Sequence, residues 1–176
     1  MPQTQGSRTA LTNAIATYLG GAGIPFLTSE NVFPYPAKFT PEGDFYAGED
    51  PGTQSGAMIF MRIENQRERR IELRGATGGG KMITYNLALT ILFRSSKKKS
   101  QDAGKDNDDF LDALLDAIRA SKTAGTDDGT VFSWGEGEMA GGDDMALDVY
   151  YPRPIDNQIT QVNSKLVVTC LQQTTD

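Results

Sequence analysis

The sequence has no histidine and a single cysteine, Cys170. Without histidine it cannot form a Ser-His-Asp triad or use an imidazole as a general base. With one cysteine it forms neither an intrachain disulfide framework nor a Cys/His zinc site. Asp, Glu, Lys, Tyr and Ser are present, but no motif groups them into a catalytic arrangement. We therefore expect a protein that is not an enzyme and that needs no cofactor or metal.

The sequence also has few long apolar runs and no excess of positive charge. Its longest apolar-rich segment, 82–93, is too short for a membrane-spanning helix, and its first residues lack the basic and apolar regions of a signal peptide. The formal charge of −6 argues against a surface that binds nucleic acid throughout. The sequence predicts one soluble domain over 1–176, with no membrane partner.

A glycine run is the most distinctive motif that is present. Residues 75–82 read Gly-Ala-Thr-Gly-Gly-Gly-Lys-Met, which approaches the phosphate-binding loop in which a Lys and a following hydroxyl contact phosphate and Mg²⁺. Met82 has no hydroxyl, and the residues after Lys81 do not have helical periodicity. A nucleotide-binding enzyme is therefore the weakest of the alternatives, and 75–80 is interpreted as a glycine turn between two strands.

The segment after the glycines alternates between apolar and polar residues with a period of two, which predicts a half-buried strand. The residues on its apolar face are Ile83, Tyr85, Leu87, Leu89, Ile91 and Phe93. Two shorter runs precede it, 57–64 and 68–74, and the polar residues 65–67 between them predict a hairpin turn. The three strands together predict an antiparallel meander.

Two helices and further strands complete the predicted fold. Apolar residues at helical spacing predict a helix over 7–19 and another over 109–118, with the acidic residues 106–109 capping the second. Strands are predicted over 131–134, 146–151 and 159–171, separated by a flexible acidic loop at 135–144. Residues 24–56 combine five prolines with six aromatics and predict an extended arm. Trp134 and Cys170 are expected in the core.

The order of these elements predicts an α+β fold with a largely antiparallel sheet of about five to six strands, against which two main helices pack. The long strand containing Tyr-Asn-Leu-Ala-Leu at 85–89, the helix at 109–118 and the Val-Phe-Ser-Trp-Gly-Glu strand at 131–136 resemble tail terminator proteins of long-tailed bacteriophages. The likeness covers the arrangement over 71–171 together with the N-terminal helix, and it includes no catalytic signature.

The resemblance implies a ring, typically a homohexamer, on the last layer of the tail tube. Such a ring stops polymerisation of the tube and provides the surface that the head connector joins. Its partners would be other copies of the chain, the tail tube protein and the head–tail connector protein, with DNA only in transit through the channel. It would be located in the virion, at the head-proximal end of the tail, after assembly in the host cytoplasm.

Two groups of residues are candidates for contacts in such an assembly. The aromatics of the arm and a cluster of arginines are candidates for partner binding: Phe33, Tyr35, Phe39, Phe45, Tyr46, Arg67, Arg69, Arg70 and Arg74. The acidic loop is a candidate for lining a channel that does not retain DNA: Glu136, Glu138, Asp143 and Asp144. Other phage components, such as a connector, head-completion or tail-tube protein, remain alternatives.

Overall fold

The structure, a computed structural model, describes residues 8–36, 55–70, 80–97, 99–121, 123, 132–134, 145–154 and 159–175. It confirms the α+β class. The elements, in chain order, are α1 (Arg8–Gly21), a short 3-10 turn (Ser29–Asn31), β1 (Val32–Phe33), β2 (Gly56–Arg70), β3 (Gly80–Ser95), α2 (Ser100–Ala120), β4 (Phe132–Trp134), β5 (Met145–Val149), β6 (Arg153–Pro154) and β7 (Thr160–Thr175).

The seven strands form one sheet, whose order begins β1-β2-β3-β7. The strands β4, β5 and β6 each pair with a different part of the far edge of β7. Among the described strands, only β1 and β2 pair in parallel. The sheet has one or two more strands than the sequence predicted, because β1 and β6 are only two residues long.

Three long strands form the centre of the sheet. The strands β2 and β3 pair in antiparallel fashion from Gly56 opposite Arg94 to Arg70 opposite Lys81, and β3 pairs with β7 over its whole length. This pairing confirms the strand predicted after the glycines. The glycine turn itself, at 75–80, lies outside the described residues except for Gly80.

The predicted meander is wrong in one respect. Residues 65–67 are not a turn, because β2 continues through them with only a β-bulge between Ile63 and Asn65. These polar residues contain neither Gly nor Pro, and their backbone pairs with β3, so ladder hydrogen bonds outweigh the polar composition. The third central strand is β7, from the far end of the chain.

The main core lies on the face of the sheet that packs against α1 and α2, here called the helical face. All six residues predicted on the apolar face of β3 are buried there, at 5% exposure or less. Residues of β2, β7 and both helices complete this core: Ala57, Ile59, Met61, Val162, Leu166, Val168, Leu11, Ile15, Leu19, Phe110, Leu111, Leu114 and Ile118. Trp134 and Cys170 are also buried in it, as predicted.

A smaller apolar cluster lies on the opposite side of the sheet, here called the outer face. Met58, Phe60 and Leu92 are buried there, and Phe33 packs against them with its ring stacked on Phe60 at 5.3 Å between ring centroids. Leu92, which interrupts the polar face of β3 in the sequence, therefore belongs to a second apolar layer. No described helix lies on this face.

The helices differ from their predicted ends. The helix α1 continues through Gly20 and Gly21. The helix α2 begins at Ser100, so Asp106, Asp108 and Asp109 lie inside it, and the predicted capping role of this segment is wrong. Its first turns bury only Ala103 and Asn107, which gave too little apolar periodicity to reveal them. Asp106 instead accepts a hydrogen bond from Lys97 at 2.8 Å.

Two hydrogen bonds tie the helices and the sheet together at one end of the core. The Tyr18 hydroxyl of α1 donates to the carbonyl oxygen of Ala117 in α2 at 2.8 Å. The Trp134 indole N–H donates to the carbonyl oxygen of Ser121, just after α2 ends. The Tyr18 and Trp134 rings also meet edge to face at 5.8 Å between centroids. The last turn of α2 is therefore fixed against α1 and β4.

Candidate interaction surfaces

Lys81, the lysine of the glycine motif, lies inside β3 and not at the start of a helix. It is paired in the sheet with Arg70 on one side and Thr174 on the other. A phosphate loop needs the N-terminal amide groups of a helix directly after its lysine. The backbone at Lys81 has the geometry of a strand, which does not fit a phosphate-binding loop. The predicted turn at 75–80 lies outside the described residues apart from Gly80.

The environment of the single thiol, Cys170, also disfavours chemical reactivity. Cys170 is fully buried on the helical face, and burial raises the pKa of its thiol from 9.0 to about 12. A thiol is nucleophilic as its thiolate, which this environment disfavours. Among the described residues, no group of three or more Asp, Glu, Cys or His side chains could hold a metal ion.

The arginines predicted to bind a partner are divided between the two faces of the sheet. Arg67 pairs with Thr84 and Arg69 with Met82, which places both on the outer face. Arg70 is opposite Lys81, on the other face. All three are exposed. Arg74 lies outside the described residues. The bulge between Ile63 and Asn65 puts Arg67 and Arg69 on the same face as Arg62.

The aromatic candidates of the arm have different surroundings. Phe33 packs against Phe60 on the outer face of its own chain. Tyr35 is 50% exposed, and its hydroxyl donates to the Thr9 hydroxyl of α1 at 2.9 Å. Phe39, Phe45 and Tyr46 lie outside the described residues. The four acidic residues predicted to line a channel, at positions 136, 138, 143 and 144, also lie outside them.

Both lateral edges of the sheet have backbone that no described strand pairs with. On one edge, β1 covers only Ile59 and Phe60 of β2, which leaves positions 61–70. On the other edge, β7 is the only described strand that pairs with β5, so the far side of β5 has no partner among the described strands. Such edges are templates for pairing with another chain, and natural proteins usually protect or use them. Arg62, Arg67, Arg69 and Arg70 give the β2 edge a basic character.

A groove on the outer face was not predicted from the sequence. Its volume is about 590 Å³, and it lies between β3, β7 and the segment that connects β5 to β6. Tyr150 and Tyr151 form one wall and are 54% and 91% exposed. Leu92, Arg153, Pro154 and Asn163 also line the groove.

Hydrogen bonds within the sheet hold the polar floor of this groove in place. The Tyr150 backbone N–H donates to the carbonyl oxygen of Asn163 at 2.9 Å. The Gln161 side chain joins Arg94 at 3.1 Å and Asn163 at 2.7 Å. Lys165 forms an ion pair with Glu64 at 2.8 Å, and the hydrogen bond to that carboxylate raises the pKa of the Lys165 ammonium.

One segment of the sequence has a composition that is typical of a binding surface. Residues 149–154 read Val-Tyr-Tyr-Pro-Arg-Pro, and exposed aromatics beside proline are typical of binding surfaces. The sequence pattern predicts only the end of a strand at these residues. The groove also requires β7 to lie beside β3, and this pairing joins residues about 70 positions apart, which the local sequence does not indicate.

Comparison with known protein families finds no model that matches the chain, and comparison with curated proteins finds no significant match. In the described part of the chain, no helix is long and apolar enough to cross a membrane. The surfaces that bear on function are two sheet edges with no partner among the described strands, a basic edge strand and an aromatic groove.

Proposed function

We propose that this chain is a phage assembly protein that forms a closed ring, caps the tail tube, ends its polymerisation and provides the surface for head joining. The observation that carries the proposal is the sheet with a strand edge unpaired by described strands on each side. One copy can offer its β2 edge to the β5 edge of the next. Contacts between two different surfaces propagate head to tail, and they close into a ring when the rotation permits.

The distribution of charge and chemistry supports the same role. Arg67 and Arg69 form an exposed basic patch on the outer face, suited to an acidic surface of a tube or connector protein. An assembly role needs no nucleophile, and the one thiol is buried and held in its neutral form. In this proposal the ring is a hexamer in the virion tail, assembled in the host cytoplasm, and DNA only passes through its channel.

Electron microscopy and light scattering of the purified full chain test the ring. We expect closed particles of uniform rotational symmetry, either alone or on the ends of tubes made by the cognate tail-tube protein. A chain that stays monomeric both alone and with the tail-tube protein would contradict the proposal. Long tubes formed by the chain alone would instead identify it as a tube component, since a terminator must not add further copies of itself.

The basic patch is tested by charge reversal. Arg67→Glu together with Arg69→Glu should weaken capping of the tube by about tenfold or more, because like charges then face each other across the contact. Arg67→Glu alone is matched by Arg119→Glu, which also reverses one charge, at a 59% exposed arginine side chain on α2. Equal loss of capping in both variants would show that net charge, and not this patch, is responsible.

A further inference from the structure

The two lateral edges of the sheet that have no partner among the described strands are complementary in direction. Neighbouring strands are antiparallel at each step from β2 to β3, to β7 and to β5. The strand β5 therefore runs opposite to β2. If a second copy in the same orientation continues the sheet beyond β5, its β2 meets β5 as an antiparallel neighbour, which is the more stable type of strand pairing.

The register of such a pairing is restricted by β1 and by the two faces of the sheet. Along the ladders, Val149 is opposite Ser164. Ser164 is opposite Ile91, and Ile91 is opposite Ile59. A copy placed beside β5 without a shift would bring Ile59 to Val149, but β1 already pairs with Ile59. A shift by one residue would join the helical face of one copy to the outer face of the next. The smallest shift that remains is two residues.

A shift of two residues matches both faces of the sheet. It brings together two apolar pairs on the helical face and one charged pair on the outer face: Val149 with Met61, Leu147 with Ile63, and Asp148 with Arg62. Val149 is 50% exposed in the single copy, so the pairing buries apolar surface. Apolar pairs and pairs of opposite charge that face each other across two strands both stabilise a sheet.

The charges around Asp148 favour an arginine as its additional partner. Within one copy Asp148 lies opposite Lys165, which also forms an ion pair with Glu64 at 2.8 Å. Two carboxylates thus share one ammonium group, which leaves net negative charge at this edge. Arg62 is exposed at the other edge. Complementary charges on two surfaces select the partner and fix the register of the contact.

The β2 edge has room beside Met61, Arg62 and Ile63. The strand β1 ends at Phe33, and residues 34–36 do not continue its pairing with β2. A pocket of about 160 Å³ is lined both by the edge residues at 61–63 and by residues 34–36. The segment after β1 therefore leaves a space beside this part of the edge.

We propose that β5 of one copy pairs in antiparallel fashion with β2 of the next copy, and that Asp148 faces Arg62 across this contact. The contact rests on the ring proposed above, and it names the strands and the charge pair that join one subunit to the next. Each copy uses its β5 edge on one side and its β2 edge on the other, so the same contact repeats around the ring. All helical faces then lie on one side of the shared sheet.

Exchange of the two charges tests this pair in the full chain. Asp148→Arg alone, or Arg62→Asp alone, should raise the concentration at which half of the rings dissociate by about tenfold, because like charges then face each other. Asp148→Arg combined with Arg62→Asp restores an opposite pair and should bring that concentration back to within about threefold of wild type. Sedimentation velocity measures the dissociation, and circular dichroism checks that each variant folds.

The matched control combines Asp148→Arg with Arg67→Asp. It changes the same types of residue, and Arg67 is also exposed on the outer face of β2. Arg67 is not opposite Asp148 in the proposed register, so we expect the control to dissociate as readily as Asp148→Arg alone.

A disulfide between copies tests the register directly. Arg62→Cys copies are mixed with differently tagged Asp148→Cys copies, dissociated, reassembled and oxidised. Directly opposite residues in antiparallel strands have Cα atoms about 4.5–5.5 Å apart, which a disulfide can span. We expect a heterodimer from this mixture and none from Arg69→Cys mixed with Asp148→Cys, because Arg69 lies about 20 Å further along β2. Wild type, in which Cys170 is buried, should give no such product.

The outcomes separate this contact from the proposed function. Wild-type rings together with no rescue by the charge exchange and no heterodimer would overturn the contact and leave the ring standing. Rescue of Asp148→Arg by Arg67→Asp in place of Arg62→Asp would also overturn it, because the strands would then pair in another register. A wild-type chain that never forms rings would overturn both proposals. Rescue by Arg62→Asp together with the heterodimer is the result that supports the contact.

Discussion

At the scale of single residues, one buried pair of polar side chains joins two central strands of the sheet. The Tyr85 hydroxyl donates to the Gln172 side-chain oxygen at 3.2 Å, and both residues are buried on the helical face, at 0% and 4% exposure. Burial raises the pKa of the Tyr85 hydroxyl, because the charged form would lose its hydration. The pair joins β3 to β7.

Removing this hydroxyl should destabilise the protein. Tyr85→Phe leaves the Gln172 oxygen buried without its donor, which costs about 1–3 kcal/mol in the free energy of unfolding. Chemical denaturation should show a lower midpoint with an unchanged slope. Tyr151→Phe, which removes a hydroxyl from an exposed ring, is the control and should leave the midpoint unchanged. Equal midpoints for the two variants would mean that the Tyr85 hydroxyl contributes no stability.

Cys170 should make the stability of the protein depend on pH above about 9. The unfolded thiol ionises near pH 9, whereas the folded thiol holds its proton up to about 12, so the folded state binds more protons in this window. Stability is therefore fully present below pH 9 and falls as the pH rises, with a slope that approaches about 1.4 kcal/mol per pH unit.

Denaturation of wild type and Cys170→Ala between pH 8 and pH 10 measures this effect. The variant lacks the titrating thiol, so its stability should fall less steeply than that of wild type. Parallel pH profiles would contradict the assignment of a raised pKa to Cys170. The comparison uses the difference in slope, which is independent of any constant cost of the smaller side chain.

At the scale of elements, periodicity decides what a sequence can predict. The strand β3 was predicted correctly because one face of it is fully buried and the alternation extends over twelve residues. The strand β2 was divided in two because its second half carries polar side chains on both faces, and its pairing with β3 is invisible in the local sequence. The first turns of α2 were missed for the related reason that they bury few side chains.

Two glycines near the helices should respond to alanine in opposite ways. Gly104 lies inside α2 with open space where a Cβ would be, so Gly104→Ala should stabilise the protein by about 0.5–1 kcal/mol. Gly23 also has open space, but its φ is +67°, and Gly23→Ala should destabilise by about 1–2 kcal/mol. Thermal unfolding followed by circular dichroism measures both. Shifts of the same sign in both variants would show that backbone conformation does not decide the effect.

At the scale of the whole molecule, the main core extends from both helices through every long strand. We therefore expect one cooperative unfolding transition, in which fluorescence of the single Trp134 and far-ultraviolet circular dichroism change together. Trp134 reports packing at β4 and the end of α2, whereas circular dichroism reports all helices and strands. Separate transitions would show that this end of the core unfolds as an independent unit.

The candidate surfaces are harder to predict from the sequence than the fold, because they are built from parts of the chain that only the whole molecule brings together. Alternation and helical spacing predicted the α+β class, but the groove is built from three parts of the chain, at 90–92, 150–154 and 161–165. Their proximity follows from β7 lying beside β3 and from β6 returning to β7. The arginines at 67, 69 and 70 form one cluster in the sequence. In a strand, neighbouring side chains lie on opposite faces, which composition alone does not indicate.

The β-bulge between Ile63 and Asn65 has a consequence for how the sequence of β2 can change. Glu64 has no partner residue in the ladder between β2 and β3. Odd-numbered residues lie on the helical face before this bulge, and even-numbered residues lie on that face after it. Loss of Glu64 would close the bulge and leave every later residue on its present face, whereas loss of a residue far from the bulge would turn over the residues between that position and the bulge. The bulge is therefore where β2 accommodates a change of length most easily, and it also supplies the partner of Lys165.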